Sequence, residues 1–284
     1  TLTGLDAPPL AGRRFALAVV DEATQAVEPA AILALLRADR VVLAGDHLQL
    51  PPTVLSAAAQ AGGLGVSLFE RLVALHGDAA KVTLAEQHRM NRLIMGYPSQ
   101  ALYGGALRAH PAVAGHAVDA RPLEVVDTAG RGFEEETPPG SDSRHNPGEA
   151  ELAAAEVARL LAKGLLPREV ALIAPYDAQV QRLRQLLGRW LDEGLEVDTV
   201  DGFQGREKEA VVVSLVRSND AGEVGFLADV RRMNVAITRA RRKLVVVGDG
   251  ATVSRHPFYD GFFRYAQRLG AWCSAWEREG GAEP

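Results

Sequence analysis

Residues 15–25 read Phe15-Ala-Leu-Ala-Val-Val20 followed by Asp21-Glu22-Ala-Thr-Gln25. The first run is apolar without polar alternation, the pattern of a strand buried on both faces of a parallel sheet. In open parallel sheets, ligands bind at the carboxyl ends of the strands. Two adjacent carboxylates there can divide the work. One holds a Mg²⁺ ion that bridges phosphates, and the other polarises an attacking water. A solvated loop pair is the plain alternative. The sequence contains no Gly-x-x-x-x-Gly-Lys-[Ser/Thr], the loop whose backbone N–H groups cradle phosphates. The segment therefore reads as half of a nucleotide-hydrolysis site, with the phosphate-cradling loop outside this sequence or lost.

The same alternation continues outward. Strand-like runs lie at 15–20, 40–44, 82–85, 123–126, 169–174, 195–200, 209–216 and 244–248, with helical stretches between them, among them 28–38, 65–76, 147–163 and 177–190. Strands alternating with helices predict α/β architecture with doubly wound parallel sheets. The helix at 147 has a clear start: Asn146 caps, Pro147 suits the first position and Glu149 favours the first turn. The stretch 128–146, rich in Gly, Pro, Ser and Glu, predicts a mobile surface loop. A domain boundary is expected near 76–82, where His76-Gly77-Asp78 breaks a helix before a new strand.

The 284 residues are 47% hydrophobic and 24% charged, an ordinary globular balance. No apolar stretch is long enough to span a bilayer, and the N-terminus lacks the features of a signal peptide. A single cysteine, Cys273, leaves no intramolecular disulfide and no cysteine-built zinc site, so a reducing, cytoplasmic setting is expected. The net charge of −5 gives no global basic signature for nucleic acid, so local clusters must supply one. Thr1 in place of Met predicts a processed chain or part of a longer one.

Four more segments carry chemistry. The run Arg40-Val-Val-Leu-Ala-Gly45 ends in Asp46-His47-Leu-Gln49-Leu-Pro51-Pro52-Thr53. Gln49 can orient water or report on a γ-phosphate through its amide. His47 has no second His or Cys at ligand spacing, so a hydrogen-bonded or exposed imidazole is expected rather than a metal ligand. In Glu86-Gln87-His88-Arg89-Met90, Arg89 offers a fork of donors suited to phosphate oxygens. In Val200-Asp-Gly-Phe-Gln-Gly-Arg-Glu-Lys208, two glycines including Gly205 suit a loop whose N–H groups approach an anion. Arg231-Arg232-Met-Asn234-Val-Ala-Ile-Thr238-Arg239-Ala-Arg241-Arg242-Lys243 is the densest basic stretch. On a helix Arg232, Asn234, Thr238 and Arg239 cannot share one face, so at least two surfaces are served.

In this order and spacing the segments resemble the superfamily 1B helicases, in the group of the immunoglobulin-mu-binding-protein-2 and nonsense-mediated-decay helicases. Asp21-Glu-Ala-Thr-Gln25 resembles motif II, Gly45-Asp-His-Leu-Gln-Leu-Pro-Pro52 motif III and Gln87-His-Arg-Met90 motif IV. Val200 to Lys208 resembles motif V, and Asn234-Val-Ala-Ile-Thr-Arg-Ala-Arg241 motif VI. The resemblance covers nearly the whole chain. It implies RecA-like doubly wound sheets, partial in 1–80 (motifs II and III, Walker A absent) and complete in 81–284 (motifs IV to VI). It also implies two domains clamping ATP and Mg²⁺ in a cleft, with 5′ to 3′ movement on single-stranded DNA or RNA.

Carried onto matching positions, the resemblance makes Asp21 the Mg²⁺ ligand and Glu22 the activator of water. Gln49 and Arg89 would contact the γ-phosphate, Arg239 would be an arginine finger, and Gly205 and Glu207 would lie near the nucleotide. Single-stranded nucleic acid would pass near Thr53, Pro98, Ser99, Pro175, Tyr176 and Thr199, with Arg217 and Asn219 as further candidates. The family usually has a Tyr where this chain has His88, so adenine stacking would rest on a smaller ring. The missing N-terminal half of the helicase core is an expected partner, in the same parent chain or another. Without it, strands 15–20 and 40–44 should expose edges and apolar faces. Residues 1–75 should then be unstable alone, and about 82–284 should fold independently. The competing reading is a degenerate helicase fragment that binds nucleic acid or protein without turnover.

Overall fold

The computed structural model describes residues 4–280 apart from Asp6 and Pro9. The chain divides into two compact units, Thr1–Thr83 and Leu84–Pro284.

In the first unit, β1 (Ala18–Val20) and β2 (Val41–Leu43) pair in parallel, with Val20 opposite Leu43. The crossover between them is α1 (Glu28–Arg37), which opens with Glu28 and Pro29, both favourable at a helix N-terminus. A short α2 (Ala57–Ala59) precedes α3 (Leu68–His76). A reciprocal cap fixes the start of α3: Ser67 Oγ accepts the Glu70 N–H at 3.1 Å, and the Ser67 N–H donates to Glu70 Oε2 at 3.2 Å. The core here is small: Val20, Ala23 and Ala34, with Leu5, Ala18, Val41, Leu43 and Phe69 packed on it. Val19 and Val42, which alternate with these, are 64% and 50% exposed. One face of the strand pair is therefore covered and the other is bare, in line with the expectation from sequence.

The second unit holds, in order, β3 (Glu86–Gln87), α4 (Arg92–Leu102), β4 (Arg108–Ala109), α5 (Pro111–Ala114), β5 (Leu123–Asp127), α6 (Pro147–Ala162), β6 (Val170–Ala174), α7 (Asp177–Leu191), β7 (Glu196–Thr199), β8 (Lys208–Ser214), α8 (Val230–Thr238), β9 (Ala240–Gly248), α9 (Gly250–Val253), α10 (Pro257–Arg268), β10 (Trp272–Ser274) and α11 (Ala275–Gly280). Strands β10-β5-β9-β8-β6-β7 form one sheet, every neighbouring pair parallel, while β3 and β4 pair separately. The Val- and Leu-rich strands are buried on both sides. Val245 and Val247 of β9 pack with α6 and α7, and the intervening Leu244 and Val246 are equally buried. Rings from α10 and α4 form an aromatic cluster, with Tyr97 edge-on to Phe258 and Phe262. This is the parallel α/β architecture predicted from strand–helix alternation, and it agrees with the RecA-like fold that the resemblance implies.

Three readings from sequence change. Residues 82–85 are not a strand; Val82 and Leu84 are 89% and 85% exposed, and pairing begins only at Glu86. The stretch 128–146 is not loose, because its Glu135 is driven inward. Its carboxylate accepts from Arg217 Nε at 2.7 Å, the Ser218 N–H at 2.9 Å and Arg144 Nη1 at 2.8 Å. Strand β9 also begins well before the apolar run at 244–248, since the buried Lys243 ammonium is neutralised by Asp119 and Glu124.

Candidate functional site

The ends of β1 and β2 lie side by side because their registers match. The Ala44 N–H donates to Val20 O, and the Ala23 N–H donates to Ala44 O, each at 2.8 Å. Thr24 is buried against Gly45, where a Cβ would come within 3.0 Å of its methyl carbon. Asp21 and Glu22 are thereby presented outward. Glu22 has φ of +51°, in the left-handed region that an unbranched non-glycine residue enters at a cost of about 1 kcal/mol. Asp21 Oδ1 accepts the Glu22 N–H at 3.0 Å, and Gln25 Nε2 donates to Glu22 Oε2 at 2.6 Å. On the neighbouring strand end, Gln49 Nε2 donates to Asp46 Oδ2 at 2.8 Å while the Leu48 N–H donates to Oδ1 at 3.0 Å. Asp46, passed over in the sequence, thus orients the amide of Gln49. Thr53 is exposed beyond them. His47 stacks on Phe69 at 6.1 Å between ring centres.

Among the described residues no group of three His, Cys, Asp or Glu side chains could cage a metal. A Mg²⁺ ion held by one carboxylate and by substrate phosphates needs no such cage, so exposed Asp21 fits that donor set.

In the second unit the candidate residues fall at opposite ends of the six-stranded sheet. At the amino ends of β8 and β9, Arg89 pairs with Glu207 and donates from Nη1 to Thr238 O at 3.1 Å. Arg241 Nη1 lies 3.6 Å from Glu207 Oε1. The turn that carries Arg89 is built by Gln87, whose Oε1 accepts the N–H groups of Arg89 and Met90 at 2.8 and 2.7 Å. Arg239 is 3% exposed and donates to Val235 O, Arg206 O and Thr238 Oγ1 at 3.1, 3.2 and 3.1 Å. Gly205 (φ +76°) is open to solvent, with nothing within 4 Å of a Cβ built there. His88 stacks on His110 at 4.3 Å between ring centres, an aromatic partner 22 positions later in the chain.

At the carboxyl ends lie Pro175, Tyr176, Thr199, Arg217 and Asn219. Thr199 closes β7, its Oγ1 accepting the Gly202 N–H at 3.1 Å. Tyr176 is buried, and its hydroxyl accepts from Arg217 Nη1 at 3.3 Å. Arg217 is 3% exposed and tied to Glu135. Asn219 is held by the Glu223 N–H at 2.9 Å and by Thr252 Oγ1, which accepts the Asn219 N–H at 3.0 Å. Pro98 and Ser99 stand apart from both ends: they are buried in the middle of α4, where Ser99 Oγ accepts the Leu107 N–H at 3.1 Å. The basic stretch at 231–243 serves two surfaces as its spacing predicts, with Asn234, Thr238 and Arg239 buried and Arg232 partly open.

Beneath the carboxyl rim, Glu149 is fully buried. Its Oε1 accepts Ser214 Oγ–H at 2.6 Å and the Val216 N–H at 2.7 Å, while Oε2 has no partner. Val216 sits at φ +72°, an outlier for a β-branched residue. Burial pushes the Glu149 carboxyl up to about 7, against the downward pull of these bonds.

Parallel α/β sheets with polar side chains gathered at their strand ends place the chain in the class of α/β proteins that bind ligands beyond the carboxyl ends of their strands. One family model, described as an AAA domain, matches residues 64–251, and a second of the same description matches residues 1–57. The chain is 46% identical over 274 residues to DNA-binding protein SMUBP-2 of Mesocricetus auratus, covering 93% of this chain and 28% of that protein. It is 41% identical to DNA polymerase alpha-associated DNA helicase A of Schizosaccharomyces pombe (89% and 40% covered). It is 38% identical to an uncharacterized ATP-dependent helicase of Methanocaldococcus jannaschii (92% and 40%). The chain belongs to the AAA-domain helicases of superfamily 1, in the immunoglobulin-mu-binding-protein-2 and nonsense-mediated-decay group. It spans well under half the length of these relatives.

Proposed function

We propose that this chain is the C-terminal part of the core of an ATP-dependent helicase that moves 5′ to 3′ on single-stranded DNA or RNA. Residues 1–80 form the back part of a first RecA-like domain and 81–284 a second one. The observation that carries the reading is the separation of two residue sets across one sheet. Arg89, Glu207 and Arg239 gather at the amino ends, and Pro175, Tyr176, Thr199 and Asn219 at the carboxyl ends. A motor needs such a separation, because the nucleotide and the track must be gripped at different places and coupled through a rigid body.

In this reading Asp21 holds Mg²⁺, which supplies charge neutralisation along the phosphates. Glu22 takes the proton of the attacking water, its carboxylate aimed by Gln25 and by the left-handed backbone. Gln49, oriented by Asp46, contacts the γ-phosphate together with Arg89. Arg239 acts as the arginine finger, and Gly205, Glu207 and His88 border the nucleotide. Arg89 is held ready by Glu207, an exposed pair that exchanges readily for a phosphate partner. Thr53 and the carboxyl-rim residues support the strand, while Pro98 and Ser99 act only through the packing of α4. The N-terminal half of the core, with its phosphate-binding loop, is the required partner. No helix among the described residues is long and apolar enough to cross a membrane.

The test uses a polypeptide that also supplies the phosphate-binding loop. There Glu22→Gln should keep ATP binding while lowering kcat by a factor on the order of 10² or more, and unchanged turnover would remove Glu22 from its role. Robust nucleic-acid-stimulated hydrolysis by the 284-residue chain alone would overturn the requirement for the missing half.

A further inference from the structure

The loop between β8 and α8 carries an aromatic ring that the roles above leave unused. Phe226, on a single 3₁₀ turn (Gly225–Ala228), is 56% exposed. Its ring centre lies 5.3 Å from that of the buried Tyr176, tilted by 42°. The Arg232 guanidinium sits 5.6 Å from the ring centre. The Phe226 N–H also donates to Tyr176 Oη at 3.4 Å, so the turn is anchored to the rim through both backbone and ring.

Exposing a phenylalanine forgoes about 1.5–3 kcal/mol of burial. Here the ring is neither on a floppy tip nor inside a larger apolar patch. Its apolar neighbours Leu227 and Val224 are buried and partly buried, and the same loop carries Asn219, Asp220 and Glu223 before the ring and Arg232 after it. A protein docking face needs a contiguous apolar area, and a lone, rigidly backed ring does not supply one. A nucleobase does match it, since its flat π-face covers one aromatic side chain whatever the sequence. The position matches too, because Phe226 adjoins Tyr176 at the carboxyl rim, in the loop that Asn219 braces by donating to Glu223 O.

Building on the helicase reading, we propose that Phe226 is a base-stacking residue of this rim, taking one unpaired nucleobase of single-stranded nucleic acid against the ring that Tyr176 and Arg232 hold in place. The surrounding charge is mixed, with Arg232 near Asp229 and Asp201. Phe226 therefore contributes through stacking, and phosphate attraction comes from elsewhere.

The experiment measures binding of the 284-residue chain to fluorescent dT12 and U12 oligonucleotides by anisotropy, in separate arms and across a salt series. Phe226→Ala should weaken binding about 5- to 100-fold, without changing the slope of log affinity against log salt, because no phosphate contact is lost. Phe226→Trp should bind as tightly as the wild type or more so, and Phe226→Leu should behave like Ala. Thermal unfolding of each variant should match the wild type, since the ring lies outside the core. The arm in which Ala substitution costs more identifies the preferred strand. Leu binding as well as Phe would overturn stacking in favour of plain apolar contact. Ala binding like a tightly binding wild type would remove Phe226 from the site and leave the helicase reading standing. A wild-type chain that binds neither strand would overturn the stacking proposal, whereas the helicase reading falls only to the Glu22→Gln test.

Discussion

Glu149, buried near the start of α6, holds the turn that follows β8 through Ser214 and the Val216 N–H. Its position near the start of α6 is as expected: Asn146 Oδ1 accepts the Glu149 N–H at 3.0 Å, and Pro147 follows the cap. Its role is not. The carboxyl turns away from solvent to hold Ser214 and the left-handed Val216, and desolvation raises its titration to about 7, with the nearby Asp249 charge adding to the rise. Sequence periodicity marks which residues start a helix, but it does not say which way a first-turn acid points. The shift has a sign. Between the ordinary glutamate value and about 7, the folded chain keeps a proton that the unfolded chain has released. Stability is therefore greatest below that window, falls as pH rises through it by about 3 kcal/mol, and levels off above it. Glu149→Gln keeps an acceptor for Ser214 and Val216 without the titration. The variant should gain in melting temperature relative to wild type on going from about pH 5 to about pH 8. A pH-independent difference would mean that Glu149 titrates normally.

At the scale of elements, the β8–α8 connection concentrates what the site depends on. Gly225 has φ of +54°, and a Cβ there would lie 1.8 Å from Arg217 Nη1 and 2.7 Å from Tyr176 Oη. Arg217 cannot swing clear without leaving Glu135, with which it is buried. Gly225→Ala should therefore cost at least about 2 kcal/mol, from left-handed strain and a disturbed buried ion pair. The urea midpoint would report this, and an unchanged midpoint would contradict the packing of Arg217 against this turn. The strands at 170–174 and 208–214 were legible because unbroken Val, Leu and Ala runs have few other uses. Helix α10 and strand β10 were passed over, and the ordering of 128–146 was misjudged for a different reason. Glu135 looks like one of three solvated acids until Arg217, 82 positions later in the sequence, is brought to it.

At the scale of the molecule, the two units differ in how completely they are built. The second has a six-stranded sheet whose strands are buried on both sides, and it should fold alone. The first has two strands and leaves Val19 and Val42 on an open face. Limited proteolysis of the chain without partners should yield a resistant fragment starting near Leu84, while Thr1–Thr83 is digested. Protection of the entire chain would contradict this. Which side chains of one unit approach those of the other is not legible in a motif list, because spacing along a sequence carries no rigid-body orientation. Within the second unit, α8 crosses from the carboxyl rim back to the amino rim, with Arg232 in its first turn and Arg239 just past its end. That crossover has an evolutionary corollary. Surface loops absorb insertions at little cost, about 0.6 kcal/mol per doubling of length. A helix does not, since each added residue turns everything beyond it by about 100° and advances it about 1.5 Å. Length drift should collect at tips such as 138–142 and be purged between Val230 and Thr238, which makes this helix a ruler of fixed length for the lineage.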